Sequence, residues 1–270
     1  FTLPLPTNVS DCSDVFYQIE IIDVVTSQDY SYLATANSNG IHSVNNLPLG
    51  SYFVNYIVLD ECSNRDTCNY NIDVVDLIAP IPICDQFTKV SLGSNGVGRL
   101  LAITPDDGSH DNCSPVHFTI SKNTIPEIFG EYIDYTCTDL DISQMAILRI
   151  TDEAGNENSC MVQVDLQDKL PPVIHCPSHL TISCSLPIDF NNLSNFGTVV
   201  VLPNPTKPIT IYDEYNNGIA GYDGYAQDNC KITITSTYQE NLVCNQGLLT
   251  RTFTATDQKN NSSSCYQYID

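Results

Sequence analysis

The chain has 270 residues, 42% of them hydrophobic, and sets 10 Lys+Arg against 32 Asp+Glu for a formal net charge of -22. That apolar content suffices for buried cores and excludes a disordered polymer, while the acidic excess repels phosphate backbones and anionic bilayers and so excludes nucleic acid as a partner. Twelve Cys, spread along the chain without a Cys-x-x-Cys pair, predict a disulfide framework made in an oxidising compartment, and hence an extracellular or cell-surface protein. No apolar run reaches the ~18 residues that cross a bilayer, which argues against membrane insertion. Phe1 opens neither with Met nor with a basic leader, so the chain reads as mature or as cut from something longer.

In chain order, the first landmark is SDCSD (Ser10 to Asp14). Apolar and polar residues alternate in YFVNYIVLD (Tyr52 to Asp60), rich in β-branched and aromatic residues, which predicts a half-buried strand, and a turn then leads into a second alternating run, NYNIDVVD (Asn69 to Asp76). DLIAPIPIC (Asp76 to Cys84) follows, its two prolines favouring a short, stiff, extended spacer. GSNGVG (Gly93 to Gly98) reads as a hairpin turn, because a phosphate-binding loop needs a helix behind it. After DDGSHDNCS (Asp106 to Ser114), a second strand pair is predicted at MAILRITD (Met145 to Asp152) and MVQVDLQD (Met161 to Asp168). A second spacer, DKLPPVIHC (Asp168 to Cys176), precedes YDGYAQDNC (Tyr222 to Cys230) and a third pair, RTFTATD (Arg251 to Asp257) and YQYID (Tyr266 to Asp270).

The turns inside these pairs, LDECSNRDTC, TDEAGNENSC and TDQKNNSSSC, place Cys68, Cys160 and Cys265 about 92 and about 105 residues apart. One domain type is therefore strung in tandem. The expected fold is all-β: three immunoglobulin-like sandwiches over residues 1–78, 79–170 and 171–270, the paired strands being F and G, the linkers making a rod. The Asp-Asn-Cys landmark lies about 29 and 54 residues beyond the linker cysteine in units two and three, whereas its counterpart starts only about 9 residues into unit one. The first domain is therefore expected to lack its opening strand, which another molecule supplies by edge addition unless the chain is excised from a longer one.

Together, LPLGSYFVNYIVLDECSNRDTC (Leu47 to Cys68), KVSLGSNG (Lys89 to Gly96) through DDGSHDNCSPVHF (Asp106 to Phe118), TDEAGNENSCMVQVDLQDKLPPVIHCP (Thr151 to Pro177) and RTFTATD resemble the hyalin-repeat (HYR) family, immunoglobulin-like modules of large secreted surface proteins of Bacteroidota, including gliding-type adhesins. The resemblance covers most of the chain and implies a repeat architecture, not a reaction. It departs from the family where Lys259 and Asn260 replace Gly-Asn. It implies the pairs Cys113 with Cys137, Cys230 with Cys244, Cys84 with Cys160, and Cys265 with either Cys176 or Cys184, leaving Cys12 to match Cys62. Cys68 and one of Cys176 or Cys184 remain, and Cys68 is expected either to bond a neighbouring chain or an unseen segment, or to stay a free thiol or pair unexpectedly within the chain.

Carboxylates gather at the expected domain ends: Asp106, Asp107 and Asp111; Asp139 and Asp141; Asp152 and Glu153; Asp223, Asp228 and Asp257. Such oxygens suit calcium, for which Asp106, Asp107, Asp111, Asp139, Asp141 and Asp152 are the candidate ligands, although the same residues also simply form turns. Tyr212, Tyr215, Tyr222 and Tyr225, beside acids and glycines, suit stacking on surface glycans or packing on a sheet. His175 and His179 flank Cys176, but a disulfide there removes the thiolate zinc would need. Asn8, Asn112, Asn192, Asn260 and Asn261 begin Asn-x-Ser sequons, candidate glycosylation sites. No Gly-x-Ser-x-Gly elbow or His-Glu-x-x-His is present, and no catalytic set is assigned.

The resulting expectation is a non-enzymatic structural or adhesive segment or protomer of an extracellular filament or adhesin, assembling with copies of itself head to tail. The alternative is a carbohydrate-binding module array of a secreted enzyme.

Overall fold

The computed structural model describes every residue except positions 1, 4, 5, 7, 8, 10, 12, 13, 38–40, 213–217 and 245. The fold is an all-β, multi-domain sandwich, with three short 3-10 turns and no α-helix among the described residues. Two compact units emerge: a smaller one of Phe1–Ala79 with Asp111–Pro115 and Asp152–Asn156, and a larger one comprising the rest.

In the smaller unit, strands β1 (Val15–Asp23), β4 (Gly50–Asp60) and β5 (Arg65–Val74) form an antiparallel sheet in the order β1-β4-β5, and β2 (Ala34–Ala36) pairs with β3 (His42–Val44). The expected alternation holds: Tyr52, Val54 and Tyr56 of β4 are wholly buried while Phe53 between them is exposed. They pack with Leu3, Ile21 and Val44. The Tyr52 hydroxyl donates to Pro48 O at 2.8 Å, so this ring enters the core with its polar tip satisfied.

The larger unit holds two arrays. In the first, β6 (Phe87–Ser91), β8 (Val116–Lys122), β10 (Gln144–Asp152) and β11 (Glu157–Gln167) form a sheet ordered β6-β11-β10-β8, facing the pair β7 (Val97–Leu101) and β9 (Tyr132–Thr136). Leu100 and Tyr135 from one layer meet Leu148, Ile150 and Val164 from the other, each side chain contributing about 2 kcal/mol by leaving water. The Gly93 to Gly98 segment is a tight turn, closed by Gly96 N–H donating to Gly93 O at 2.9 Å. It does not close a hairpin: β6 and β7 lie in different sheets, so it carries the chain across the sandwich.

The second array comprises β12 (Val173–His175), β13 (Val199–Val201), β14 (Pro208–Tyr212), β15 (Gly218–Tyr222), β16 (Gly224–Gln227), β17 (Ile232–Val243), β18 (Gln246–Asp257) and β19 (Ser262–Ile269). Its sheets are β12-β16-β13, β14-β15 and β17-β18-β19. Leu180, Phe196, Ile209, Leu249 and Ile269 form one core cluster, and Ala226, Ile232 and Ala255 a smaller one. Beside the first cluster Arg251, only 4% exposed, donates to Gly197 O and Gln267 Oε1 at 2.9 and 2.8 Å. Gln267 Nε2 donates in turn to Ser178 O and Phe196 O. Burial lowers the Arg251 pKa to about 10, and this hydrogen-bonded cage is what keeps the guanidinium tolerable.

Candidate functional site

The three F–G turns share one device. In each, an Asp at the strand end accepts from an Asn four residues on, one carboxylate oxygen taking the backbone N–H and the other the side-chain Nδ2. The pairs are Asp60 with Asn64 at 2.7 and 2.6 Å, Asp152 with Asn156 at 2.8 and 2.8 Å, and Asp257 with Asn261 at 2.8 and 2.6 Å. The residue before each Asn turns left-handed: Ser63 at φ 66°, Gly155 at 89° and Asn260 at 67°. This corrects the expected register of the third turn, because Asn260-Asn261 occupies the Gly155-Asn156 position and Asn tolerates the left-handed region better than most residues.

Two of the clamps extend further. Asn156 Nδ2 also donates to Asp76 O at 3.2 Å, and Asn261 Nδ2 to Asp168 O at 3.0 Å. Each linker Asp is thereby drawn inward, to 7% exposure at Asp76 and 5% at Asp168. Each also turns the chain, Oδ1 accepting from Ile78 N at 3.0 Å and from Leu170 N at 3.1 Å respectively.

Around these linker carboxylates the ligand-type atoms converge. In the larger unit, Asp168, Asp228 and Asp257 each bring a carboxylate oxygen within 4.8 Å of the others. At an effective dielectric of ~20, two like charges at that distance repel by about 3 kcal/mol. Burial first, and then the charges of Asp168 and Asp257, raise the pKa of Asp228, although the Cys230 and Asn229 N–H groups pull the other way. In the smaller unit the corresponding set is Asp76, Asp111 and Cys113, again within 4.8 Å. There the N–H groups of Cys113 and Ser114 donate to Asp111 Oδ2 at 2.8 and 3.0 Å. Partial desolvation, with the charges of Asp76 and Asp111, pushes the exposed Cys113 thiol up.

Among the described residues the disulfides are Cys84–Cys160, Cys176–Cys265 and Cys137–Cys230. The first two join each array's opening segment to its last strand, with Cys176 and not Cys184 bonded to Cys265. The third differs from expectation: Cys137 bonds Cys230 across 93 residues, in place of Cys113–Cys137 and Cys230–Cys244. Cys62, Cys68, Cys113, Cys184 and Cys244 carry free, exposed thiols, and Cys12 lies outside the described residues. The reason is proximity: the short 3-10 turn Cys137–Asp139 faces the Asp-Asn-Cys turn of the second array. A Cβ on Gly96 would lie 2.9 Å from Cys137 Sγ and 2.8 Å from Asn229 O. Asn229 Nδ2 donates to Gly93 O at 3.2 Å, Gln258 Nε2 to Asp141 Oδ2 at 3.1 Å, and Lys259 Nζ to Leu140 O at 2.7 Å, so the bond sits in a polar seam between the arrays.

Of the six carboxylates expected to bind calcium, only Asp111 joins a convergent set. Asp106 caps its own turn through Gly108 N and Ser109 N, Asp107 is exposed, and Asp152 clamps Asn156. Asp139 forms a capping box with Thr136 and an ion pair with Lys122 at 2.9 Å, and Asp141 accepts from Gln258. Asp223 accepts from Thr198 N and Lys207 N. Sequence reasoning missed Asp76 and Asp168; the signal was their shared place, eight residues before a linker cysteine.

The tyrosines do not form one platform. Tyr212 and Tyr222 are exposed at opposite ends of the β14–β15 ribbon, paired with Gly218 and Pro208, about 13 Å apart along the strand. Tyr225 packs at a tilt against His175 with ring centroids 4.6 Å apart, His179 stacks on Tyr268 at 5.0 Å, and Tyr215 lies outside the described residues. Asn112, Asn192 and Asn260 are exposed, whereas the Asn261 amide is committed to Asp257 and Asp168; Asn8 lies outside the described residues. Among the described residues, no helix is long and apolar enough to cross a membrane.

No protein-family model matches the chain, and no curated protein matches it. Among solved structures, it is similar to human CDH23 EC21-23 with a TM-score of 0.37 and 12% identity, covering 95% of this chain and 88% of that one. It is also similar to the N-terminal four Ig domains of Dscam1 isoform 6.9, at 0.30 and 9%, and to Sidekick-1 immunoglobulin domains 1-5, at 0.27 and 11%. The chain spans 65% of the Dscam1 fragment and 54% of the Sidekick-1 fragment. At these scores the likenesses carry no functional argument. The class defined by the strands and bonds themselves is a disulfide-stapled, all-β multi-domain sandwich.

Proposed function

We propose that the chain is a run of three immunoglobulin-like repeats, residues 1–78, 79–170 and 171–270, from an extracellular fibre or cell-surface adhesin of the hyalin-repeat type, with a mechanical and adhesive role. The observation that carries this reading is the Cys137–Cys230 bond, which ties one β-array to the next. Neighbouring domains in one chain move relative to each other unless their interface is large. Here a covalent bond and the hydrogen bonds of Asn229, Gln258 and Lys259 hold the joint instead. Three disulfides among the described residues support an oxidising compartment for it. The resemblance to that family rests on the Asp-Asn-Cys, Asp-x-x-Gly-Asn and Pro-Pro-x-Ile-x-Cys-Pro elements in their order.

Assembly with further copies is supported at β5. Its outer edge is unpaired among the described residues, and Tyr70, Ile72 and Val74 remain half-buried. Their counterparts on β11, where β6 runs alongside in parallel, are Val162, Val164 and Leu166 at 0, 3 and 6% exposure. In this reading, a cysteine-bearing extended strand of a second copy pairs along β5 as β6 pairs along β11, and bonds Cys68 as Cys84 bonds Cys160. Electron microscopy of purified chain, with electrophoresis lacking reductant, tests both parts. Filaments, and a covalent ladder abolished by Cys68→Ser, are expected. Isolated particles that run as monomers under denaturing, non-reducing conditions overturn the self-assembly.

A further inference from the structure

We propose that Asp168, Asp228 and Asp257 form a calcium site within the larger unit. Each offers a carboxylate oxygen within 4.8 Å of the other two, a spacing at which one ion can touch all three. Asp168 and Asp257 are 5% and 6% exposed and Asp228 is half-buried, so two of the three carboxylates are withdrawn from solvent. Asp168 Oδ2 has no hydrogen-bond partner, and neither has Oδ1 of Asn229, whose Nδ2 donates to Asp168 Oδ1 at 3.2 Å. A fold that orders an unpaired carboxylate oxygen beside two further carboxylates calls for a cation. No side chain supplies one: the ion pairs among the described residues are Arg99–Asp134, Lys122–Asp139 and Arg149–Glu157, and Lys259 Nζ goes to Leu140 O.

The donor chemistry selects the metal. Cys230, next to the site in sequence, is removed from the ligand pool by its bond to Cys137, which leaves only oxygen donors. Hard carboxylate oxygens on turns, with the unpartnered Asn229 Oδ1 beside them, suit calcium and its flexible coordination; zinc favours nitrogen and sulfur, and magnesium holds its water in a strict octahedron. The arrangement recurs in the smaller unit, where Asp76 and Asp111 also leave Asp76 Oδ2 and Asp111 Oδ1 unpartnered. There the third donor is the free thiol of Cys113, so the oxygen-only set is the one assigned to calcium.

The test uses the full chain, stripped with chelator, titrated with calcium chloride by calorimetry and melted with and without calcium. Saturating calcium is expected to raise the melting temperature by about 5 °C. Asp168→Asn and, separately, Asp228→Asn, both close in shape to the native residue, are expected to weaken calcium binding at least tenfold. Asp107→Asn, at an exposed carboxylate outside the set, is expected to leave it unchanged. Absence of both heat and melting shift in the wild-type chain overturns the site, as does unchanged affinity in both folded variants. An equal effect from the same concentration of magnesium overturns the assignment to calcium.

Discussion

Asn261 Nδ2 donates to the backbone carbonyl of Asp168, 93 residues earlier, at 3.0 Å while also holding Asp257 Oδ2 at 2.6 Å. One amide thus closes a turn and secures the linker. Asn261→Ala leaves a buried carboxylate and a linker carbonyl short of partners, with an expected loss of about 2 kcal/mol. Asn64→Ala, which breaks the exposed clamp on Asp60 alone, is expected to cost under about 1 kcal/mol. Urea unfolding of both variants in chelator makes the comparison; equal losses would mean that the linker contact contributes nothing.

Peptide mapping under non-reducing conditions is expected to recover a Cys137–Cys230 cross-link and none joining Cys113 to Cys137 or Cys230 to Cys244. Because the bond closes a long loop, Cys137→Ser is expected to lower stability by up to about 4 kcal/mol. Cys113→Ser and Cys244→Ser, both at free exposed thiols, are expected to stay within about 0.5 kcal/mol of the parent.

Gly224 opens β16, which pairs on one side with β12 and on the other with β13. A Cβ there would lie 2.2 Å from His175 O and 2.7 Å from Cys176 C, both backbone atoms held by that pairing and by the Cys176–Cys265 bond. Gly224→Ala is therefore expected to cost about 3 kcal/mol. Gly130→Ala, whose nearest neighbour would be 3.7 Å away, provides the control, with an expected change within about 0.5 kcal/mol in thermal unfolding.

Burial pushes the Asp139 carboxyl up, but the Thr136 N–H at 2.8 Å and Lys122 at 2.9 Å outweigh it and hold the pKa below the ordinary value. A depressed folded pKa means stabilisation that is present above the unfolded value, near ~3.9, and lost as pH falls through the folded one. Lys122→Met is expected to cost about 1 kcal/mol at pH 7, with the difference from the parent shrinking below pH ~4. A difference independent of pH from 7 to 3 would assign the loss to packing on Tyr135 instead, since Lys122 Nζ lies 4.7 Å from that ring centroid.

The strand pairs ending at Asp60, Asp152 and Asp257 were legible because alternation is a local property: each residue's side of the sheet follows from its neighbours. The all-β class followed from the same pattern, whereas the register of the third turn did not: Asn260-Asn261, and not Lys259-Asn260, takes the Gly155-Asn156 place. The candidate site was only half legible. Asp228 and Asp257 stood out as turn acids, but Asp168 looked like linker, because the Asn261 contact that buries it comes from 93 residues away.

What the sequence determined by itself was thus everything set by short-range stereochemistry: strand periodicity, turn positions, the acidic balance and the presence of a disulfide framework. Tertiary structure alone decided which cysteine met which, and which carboxylates lost their water. Cys137 reaches Cys230 and not Cys113, and Asp168 joins Asp228 and Asp257 while Asp139 turns to Lys122. Bond partners and burial depend on which turns the packed arrays bring face to face, and spacing along the chain does not encode that distance.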